Sequence, residues 1–207
     1  MGGLITFDLK DWVKKYNLTT FIETGVGHEG NGVIHAQKYD FKKILSVDID
    51  KVFHARAVEQ FKGDDRVDIT LKDSKTFLND ILPIKENIFF WLDAHFPNYQ
   101  MEGHFDEKIE LGKDYIDQVP KEIRMPVEDE LRIIIQKQDI SSSVILIDDY
   151  RCYEPESGNF GDGKHVNRHI LGNSNNSSFF HDLLRETHDL KIDRRHSGYL
   201  IATPKNK

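Results

Sequence analysis

Six carboxylates in this sequence stand where an apolar run gives out. Glu23 closes TTFIE, Asp48 closes KKILSVD, Asp73 follows VDITLK, Asp93 closes NIFFWLD, and Asp148 and Asp149 follow SSVILI. A carboxylate in such a place can accept hydrogen bonds from hydroxyls or amides, or take part in moving a proton. One acid of this kind is an ordinary solvated cap. Recurrence after five apolar runs points instead to a shared rim. Asp148 and Asp149 are adjacent, and their charges would repel unless a cation or a positive side chain stood between them. Glu23 is followed by glycines at Gly25, Gly27, Gly30 and Gly32, and a backbone so bare can turn tightly and approach a ligand.

The elements that must position these residues alternate in type. A capping-type Asp8 opens an amphipathic helix over 8–16 with Leu9, Trp12 and Val13 on one face, and the strand TTFIET follows. Helices over 33–39, 52–61 and 74–82 separate the runs KKILSVDID, VDITLKD and NIFFWLD, and a helix over 125–138, opened by Pro126 and acidic at its start, precedes SSVILIDDY. Acids early in a helix suit its dipole. A helix over 179–186 leads into DLKIDRRHSGYLIAT, two strand-like runs around a turn. Strands alternating with helices predict an α/β fold, Rossmann-like and doubly wound, whose mostly parallel seven-stranded sheet is covered by helices on both faces and ends in an antiparallel hairpin. Two weakly periodic stretches interrupt it. We expect an insertion or lid over about 96–124 and a polar acceptor loop over about 151–178.

The chain has 207 residues, 38% hydrophobic and 11% aromatic, with a formal charge of -7. This suits a single domain spanning 1–207. No apolar run reaches the roughly 18 residues that span a bilayer, nothing reads as a signal peptide, and one cysteine, Cys152, suits a reducing compartment. The expectation is therefore a cytoplasmic protein without membrane or nucleic-acid partners, since the net charge offers no footprint for a phosphate backbone. A small-molecule or oligosaccharide acceptor is the expected partner. Homo-oligomerisation, or membership of a larger multidomain chain, stays open.

In parallel sheets ligands bind beyond the carboxyl ends of the strands. Glycines after the first strand, with Asp48 about 20 residues beyond them, match the spacing by which nucleotide-binding folds hold a ribose. A nucleoside-containing ligand follows, either a dinucleotide or S-adenosylmethionine. Glu23 separates the two, because an acid beside the glycines would face a dinucleotide's pyrophosphate, whereas a sulfonium and amino-acid tail tolerate it.

At these residues the chain resembles the class I S-adenosylmethionine-dependent methyltransferases, whose first motif is acid-x-Gly-x-Gly; here it reads Glu23-Thr24-Gly25-Val26-Gly27. The frequent third glycine falls at Glu29, with Gly30 beside it. The resemblance implies that Glu23, Gly25 and Gly27 hold the cofactor, Asp48 its ribose, and Asp73 with Ser74 its adenine. WLDAH and ILIDDY further resemble metal-dependent sugar O-methyltransferases of the macrocin type. That resemblance implies a divalent cation, Mg²⁺ or Mn²⁺, at Asp93, Asp148 and Asp149, whose hard oxygens suit it. The pattern's second acid after the fourth strand, the presumed base, is replaced by His95. Residues 93 and 95 would point the same way if the strand continued, and histidine takes a proton near neutral pH. His95 is thus the candidate general base, with a fourth metal ligand or a structural histidine as rivals. Tyr150, Arg151, Tyr153 and His165 are candidate acceptor-binding residues, and the long polar loop that holds His165 favours a sugar over a catechol. Size and pattern also resemble a methyltransferase domain of a glycan-building protein of a large algal virus. The alternatives are an NAD-dependent oxidoreductase or epimerase, for which no Tyr-x-x-x-Lys pair is found, and a non-catalytic nucleoside-binding module.

Overall fold

The computed structural model describes residues 3–95, 121–153, 177–196 and 198–205. The lid stretch 96–120 and loop 154–176, including His165, lie outside them. In chain order the elements are α1 (Lys10–Tyr16), β1 (Thr20–Thr24), α2 (Asn31–Ala36), β2 (Lys43–Asp48), α3 (Lys51–Phe61), β3 (Val67–Leu71), α4 (Ser74–Ile81) and β4 (Ile88–Leu92). After the first gap come α5 (Lys121–Arg124), α6 (Val127–Lys137), β5 (Val144–Ile147) and a 3-10 turn (Tyr150–Tyr153); α7 (Ser178–Leu184), β6 (His188–Asp193) and β7 (Tyr199–Pro204) complete the chain.

The seven strands form one sheet in the order β3-β2-β1-β4-β5-β7-β6. β1 to β5 pair in parallel, while β7 runs antiparallel between β5 and β6. This is the α/β architecture expected from the alternating pattern. β1 and β4 are apolar or buried throughout, as strands covered on both faces must be. On one face Phe21, Ile44, Phe89, Trp91 and Tyr199 pack with Leu9, Val33, Ala36, Ala57 and Phe61. On the other, Ile22, Phe90, Ile145 and Leu200 pack with Phe77, Leu78, Leu131, Ile134, Phe180 and Leu184. Phe21 stacks on Phe89 at 5.8 Å, and such a pair adds about 0.5–1.5 kcal/mol beyond its burial.

Most helix boundaries differ from the sequence reading by one to three residues, and three differences have a capping reason. α1 begins at Lys10, because Asp8 accepts the Lys10 N–H as a turn just outside the helix. α2 begins at Asn31, two residues early, because Gly30 at φ +63 turns the chain into it. Asp73 caps α4 rather than ending β3, taking the Thr76 N–H at 3.0 Å. Among the described residues no helix is long and apolar enough to cross a membrane.

Candidate active site

Strand order reverses between β1 and β4, so the crevice beyond their carboxyl ends is where a ligand is expected. Gly25 sets its geometry. It lies at φ +84, and a Cβ there would come within 2.8 Å of the Asp93 carbonyl oxygen and 3.0 Å of the Ala94 Cα. Only glycine meets both demands, so the loop after β1 lies directly on the backbone that leaves β4. Gly27, at φ +64, faces open space where a Cβ would stand. Gly30 takes the turn that the missing third glycine would have made, and its bare Cα admits the Phe61 ring.

On the β1–β3 side the acids are bound into the scaffold. Glu23 is 1% exposed and accepts the Ser46 hydroxyl at 2.5 Å. Burial outweighs that hydrogen bond and raises its pKa to about 8, so the carboxyl is mostly protonated at neutral pH. A Cβ on Gly32 would fall 1.8 Å from Glu23 Oε1. Gly32 is therefore the space that Glu23 fills, and Glu23 supports the first turn of α2 from beneath. Asp48, nearly buried, accepts the Gly27 N–H at 3.0 Å and the Asp50 N–H at 2.8 Å. The Ile49 N–H also approaches it, so of a carboxylate's roughly four acceptor positions about one stays open to a ligand hydroxyl. Burial raises its pKa, opposed by those backbone hydrogen bonds. Asp73 is held below its ordinary pKa: burial would raise it, but hydrogen bonds from Thr76 and the charge of Lys75 outweigh that. Ser74, largely buried, is near enough to Glu130 to lower its pKa. Ile49, Val52 and Leu71 leave apolar surface exposed beside Asp48 and the end of β3, a rim that the search for acids and glycines passed over although Ile49 directly follows the Asp48 strand end.

On the β4–β5 side the acids converge on a histidine. His95 Nε2 lies 2.6 Å from Asp149 Oδ2 and Nδ1 lies 3.4 Å from Asp93 Oδ1. Residues 93 and 95 thus meet although β4 itself ends at Leu92. Asp149 adopts φ +49, a left-handed turn that aspartate tolerates, and its backbone N–H donates to Asp148 Oδ1 at 2.7 Å. Arg151 stands 3.8 Å from Asp149 Oδ1. Burial would lower the His95 pKa, yet Asp149, Asp93 and Asp148 raise it to about 10; the ring is an imidazolium at neutral pH. Asp93 is pushed well above the usual carboxylate range, by burial first and then by Asp148, with His95 acting the other way. Among the described residues His95 and Arg151 are the positive groups beside these acids. The all-oxygen donor set of the three aspartates suits a hard divalent cation. Among the described residues, however, no three His, Cys, Asp or Glu side chains are spaced around one point as a cation requires, because His95 lies between Asp93 and Asp149.

The acceptor candidates fare unevenly. Tyr150 is 3% exposed and Tyr153 6%, since the 3-10 turn after β5 tucks both rings into the core against Phe180, at 5.6 and 5.3 Å. Tyr150 is thereby a packing residue. Tyr153 lines a small cavity with His95, Asp148 and Asp149, and Arg151 stands beside Asp149 at 3.8 Å. Cys152 is buried, and burial raises its pKa, which leaves an unreactive thiol. The sequence reading missed Glu130. It is fully buried, accepts from Thr24 Oγ1 at 3.4 Å, and has its pKa raised by burial to about 7, with Ser74 and Thr24 opposing the rise. The signal was available: Val127, Glu130, Leu131 and Ile134 share the buried face of α6, and an acid at an apolar-face position is out of pattern.

No family profile and no curated protein sequence matches the chain. Solved structures do share its fold. A provisionally assigned caffeoyl-CoA O-methyltransferase from Staphylococcus aureus superposes with a TM-score of 0.58 at 11% identity, covering 99% of this chain and 85% of that one. An O-methyltransferase from Bacillus cereus in complex with S-adenosylhomocysteine gives 0.56 at 12% identity, over 93% and 77% of the two chains. A provisionally assigned methyltransferase from Streptococcus mutans, also in complex with S-adenosylhomocysteine, gives 0.55 at 11%, over 94% of each. The chain therefore has the Rossmann-like fold of these methyltransferase structures; at such identities the likeness concerns the fold alone.

Proposed function

We propose that the chain is an S-adenosylmethionine-dependent O-methyltransferase acting on a sugar hydroxyl of a glycan or glycoside, with a divalent cation at Asp93, Asp148 and Asp149. The observation that carries this reading is the contact of Gly25 with Asp93 and Ala94. It joins the glycine and ribose-acid rim directly to the carboxylate and histidine cluster, so a methyl donor held at one would present its methyl group at the other. Asp48 would accept a ribose hydroxyl, and Ile49, Val52 and Leu71 offer an apolar face for the adenine. The S-adenosylhomocysteine complexes of two structures of this fold support the choice of cofactor, since that molecule is the demethylated product of S-adenosylmethionine.

A cation at the three aspartates would supply a Lewis acid that makes an acceptor hydroxyl easier to deprotonate. The chain's own residues then orient and receive. Asp93, Asp148 and Asp149, at the ends of β4 and β5, would stand around the acceptor, and holding nucleophile and methyl in near-attack geometry would lower the barrier. His95 serves as base only when Asp93 and Asp149 are engaged by another positive group, because in their full field it keeps its proton. The 2.6 Å contact favours a second reading, in which His95 stays an imidazolium that orients Asp149 and Asp149 takes the proton.

Incubation with methyl-labelled S-adenosylmethionine and a panel of sugars, glycosides and catechols, with Mg²⁺, Mn²⁺ or a chelator, tests both readings. Label on a sugar oxygen only when metal is present supports the first. Sugar methylation undiminished by chelator favours the Asp149 reading, and label on catechols alone removes the sugar assignment.

A further inference from the structure

We propose that Glu130 is a positioning residue for His95, acting through a single water held between them. The proposal rests on the reading of His95 as part of the reacting cluster. Glu130 lies on α6, on the opposite face of the sheet from Glu23, and its two carboxyl oxygens have different surroundings. Through its acceptor contacts it joins two parts of the rim. Thr24 Oγ1, at the end of β1, donates to Glu130 Oε2 and stands 3.3 Å from the Asp93 N–H at the exit of β4. Ser74, at the first turn of α4, is near enough to hold the Glu130 pKa down. Oε1 is buried and has no hydrogen-bond partner among the described residues.

Glu130 also lines a cavity with His95, Asp148, Asp149 and Tyr153. Its volume is about 10 Å³, roughly the space one water needs; Leu92, Ala94, Val127 and Ile147 form its apolar wall, and the carboxyl and imidazole groups supply the polar partners a buried water requires. A water there takes its place between Glu130 Oε1 and the His95–Asp149 pair. It satisfies the orphaned oxygen and ties the imidazole to the ends of β1 and β4.

The cost of this carboxyl argues for a function. Its neighbours on the buried face of α6 are Val127, Leu131 and Ile134, and an apolar residue would suit that face better. Burying a carboxyl among apolar side chains is costly even when its oxygens are hydrogen-bonded, and such costs are tolerated chiefly where a group does work in a site. A purely structural Glu130 would therefore be an odd choice, and its replacement should stabilise the fold while impairing the site.

Two variants and two readouts test this. Glu130→Gln keeps the shape and an acceptor, and Glu130→Leu removes all polarity. Each is examined by thermal unfolding and by ring-nitrogen NMR of ¹⁵N-histidine-labelled protein, with His95 assigned through a His95→Gln variant. We expect unfolding midpoints equal to or above that of the parent, displaced His95 ring signals, and unmoved signals from the buried His35 and His188. In the methylation assay kcat should fall about tenfold or more, with S-adenosylmethionine affinity within about twofold. Unchanged His95 signals in a folded variant overturn the proposal. So does destabilisation by both variants with His35, His188 and His95 all shifting together, which would make Glu130 a core residue. The NMR result reads the Glu130–His95 link even if the parent transfers no methyl group, so failure of the methyltransferase reading is distinguished from failure of this one.

Discussion

The two halves of the strand-end rim treat their acids differently. Around β1, β2 and β3 each carboxyl is built into the scaffold: Glu23 by Ser46 and the vacancy at Gly32, Asp48 by the Gly27 and Asp50 amides, Asp73 by the Thr76 amide. Around β4 and β5 the acids face one another across His95, with Asp93 displaced far from its ordinary pKa. Groups fixed by backbone amides suit the recognition of a constant ligand. Groups with unsatisfied electrostatics suit a place where charge changes during a reaction. On that difference rests our proposal that the first half binds, through Asp48, and that the second does the chemistry.

This division can be broken by substitution. The largest effect is expected at Asp149→Asn, which keeps a residue type that tolerates φ +49. It should lower methyl transfer by about 100-fold or more with the unfolding midpoint little changed, read by kinetics and calorimetric melting. Glu23→Gln should act on stability in a pH-dependent way. Its folded pKa of about 8 lies above the ordinary 4.5, so folding favours the protonated form. That stabilisation is present below pH 4.5 and is lost as pH rises through 8. Parent and variant should therefore diverge over this window, the parent losing on the order of a few kcal/mol, as denaturant titrations at several pH values would record. Asp48→Asn should weaken S-adenosylmethionine about tenfold through the ribose hydrogen bond and leave catalysis at saturation nearly intact, a split that Asp149→Asn should not show. The smallest effect is expected at Asp73→Ala, about 1 kcal/mol of stability from the lost cap of α4, measured by unfolding.

The sheet was legible because each core strand is an apolar run with an acid just beyond it, and Glu23, Asp48, Asp93 and Asp148 all fall at the rim as that pattern implies. What escaped was direction. Tyr150 and Tyr153 look like binding aromatics after a strand, but a 3-10 turn rotates them onto Phe179 and Phe180, and nothing local in YRCY announces that rotation. Glu130 was read with Glu128 and Asp129 as dipole-favouring acids of a helix start. Its inward orientation depends on where α6 docks, which tertiary packing decides. Gly32 was one of four glycines in a flexible-looking stretch, and its role appears only once Glu23 occupies the adjacent space.

The most direct test of the account is calorimetric titration of S-adenosylmethionine and, separately, of NAD⁺ into the purified protein, each with and without Mg²⁺ or Mn²⁺. The account predicts saturable binding of S-adenosylmethionine, weakened by Asp48→Asn, and none of NAD⁺. Binding of NAD⁺ in its place would contradict it and return the oxidoreductase reading, and heat from neither ligand would make this rim a scaffold that kept the fold without the methyl donor.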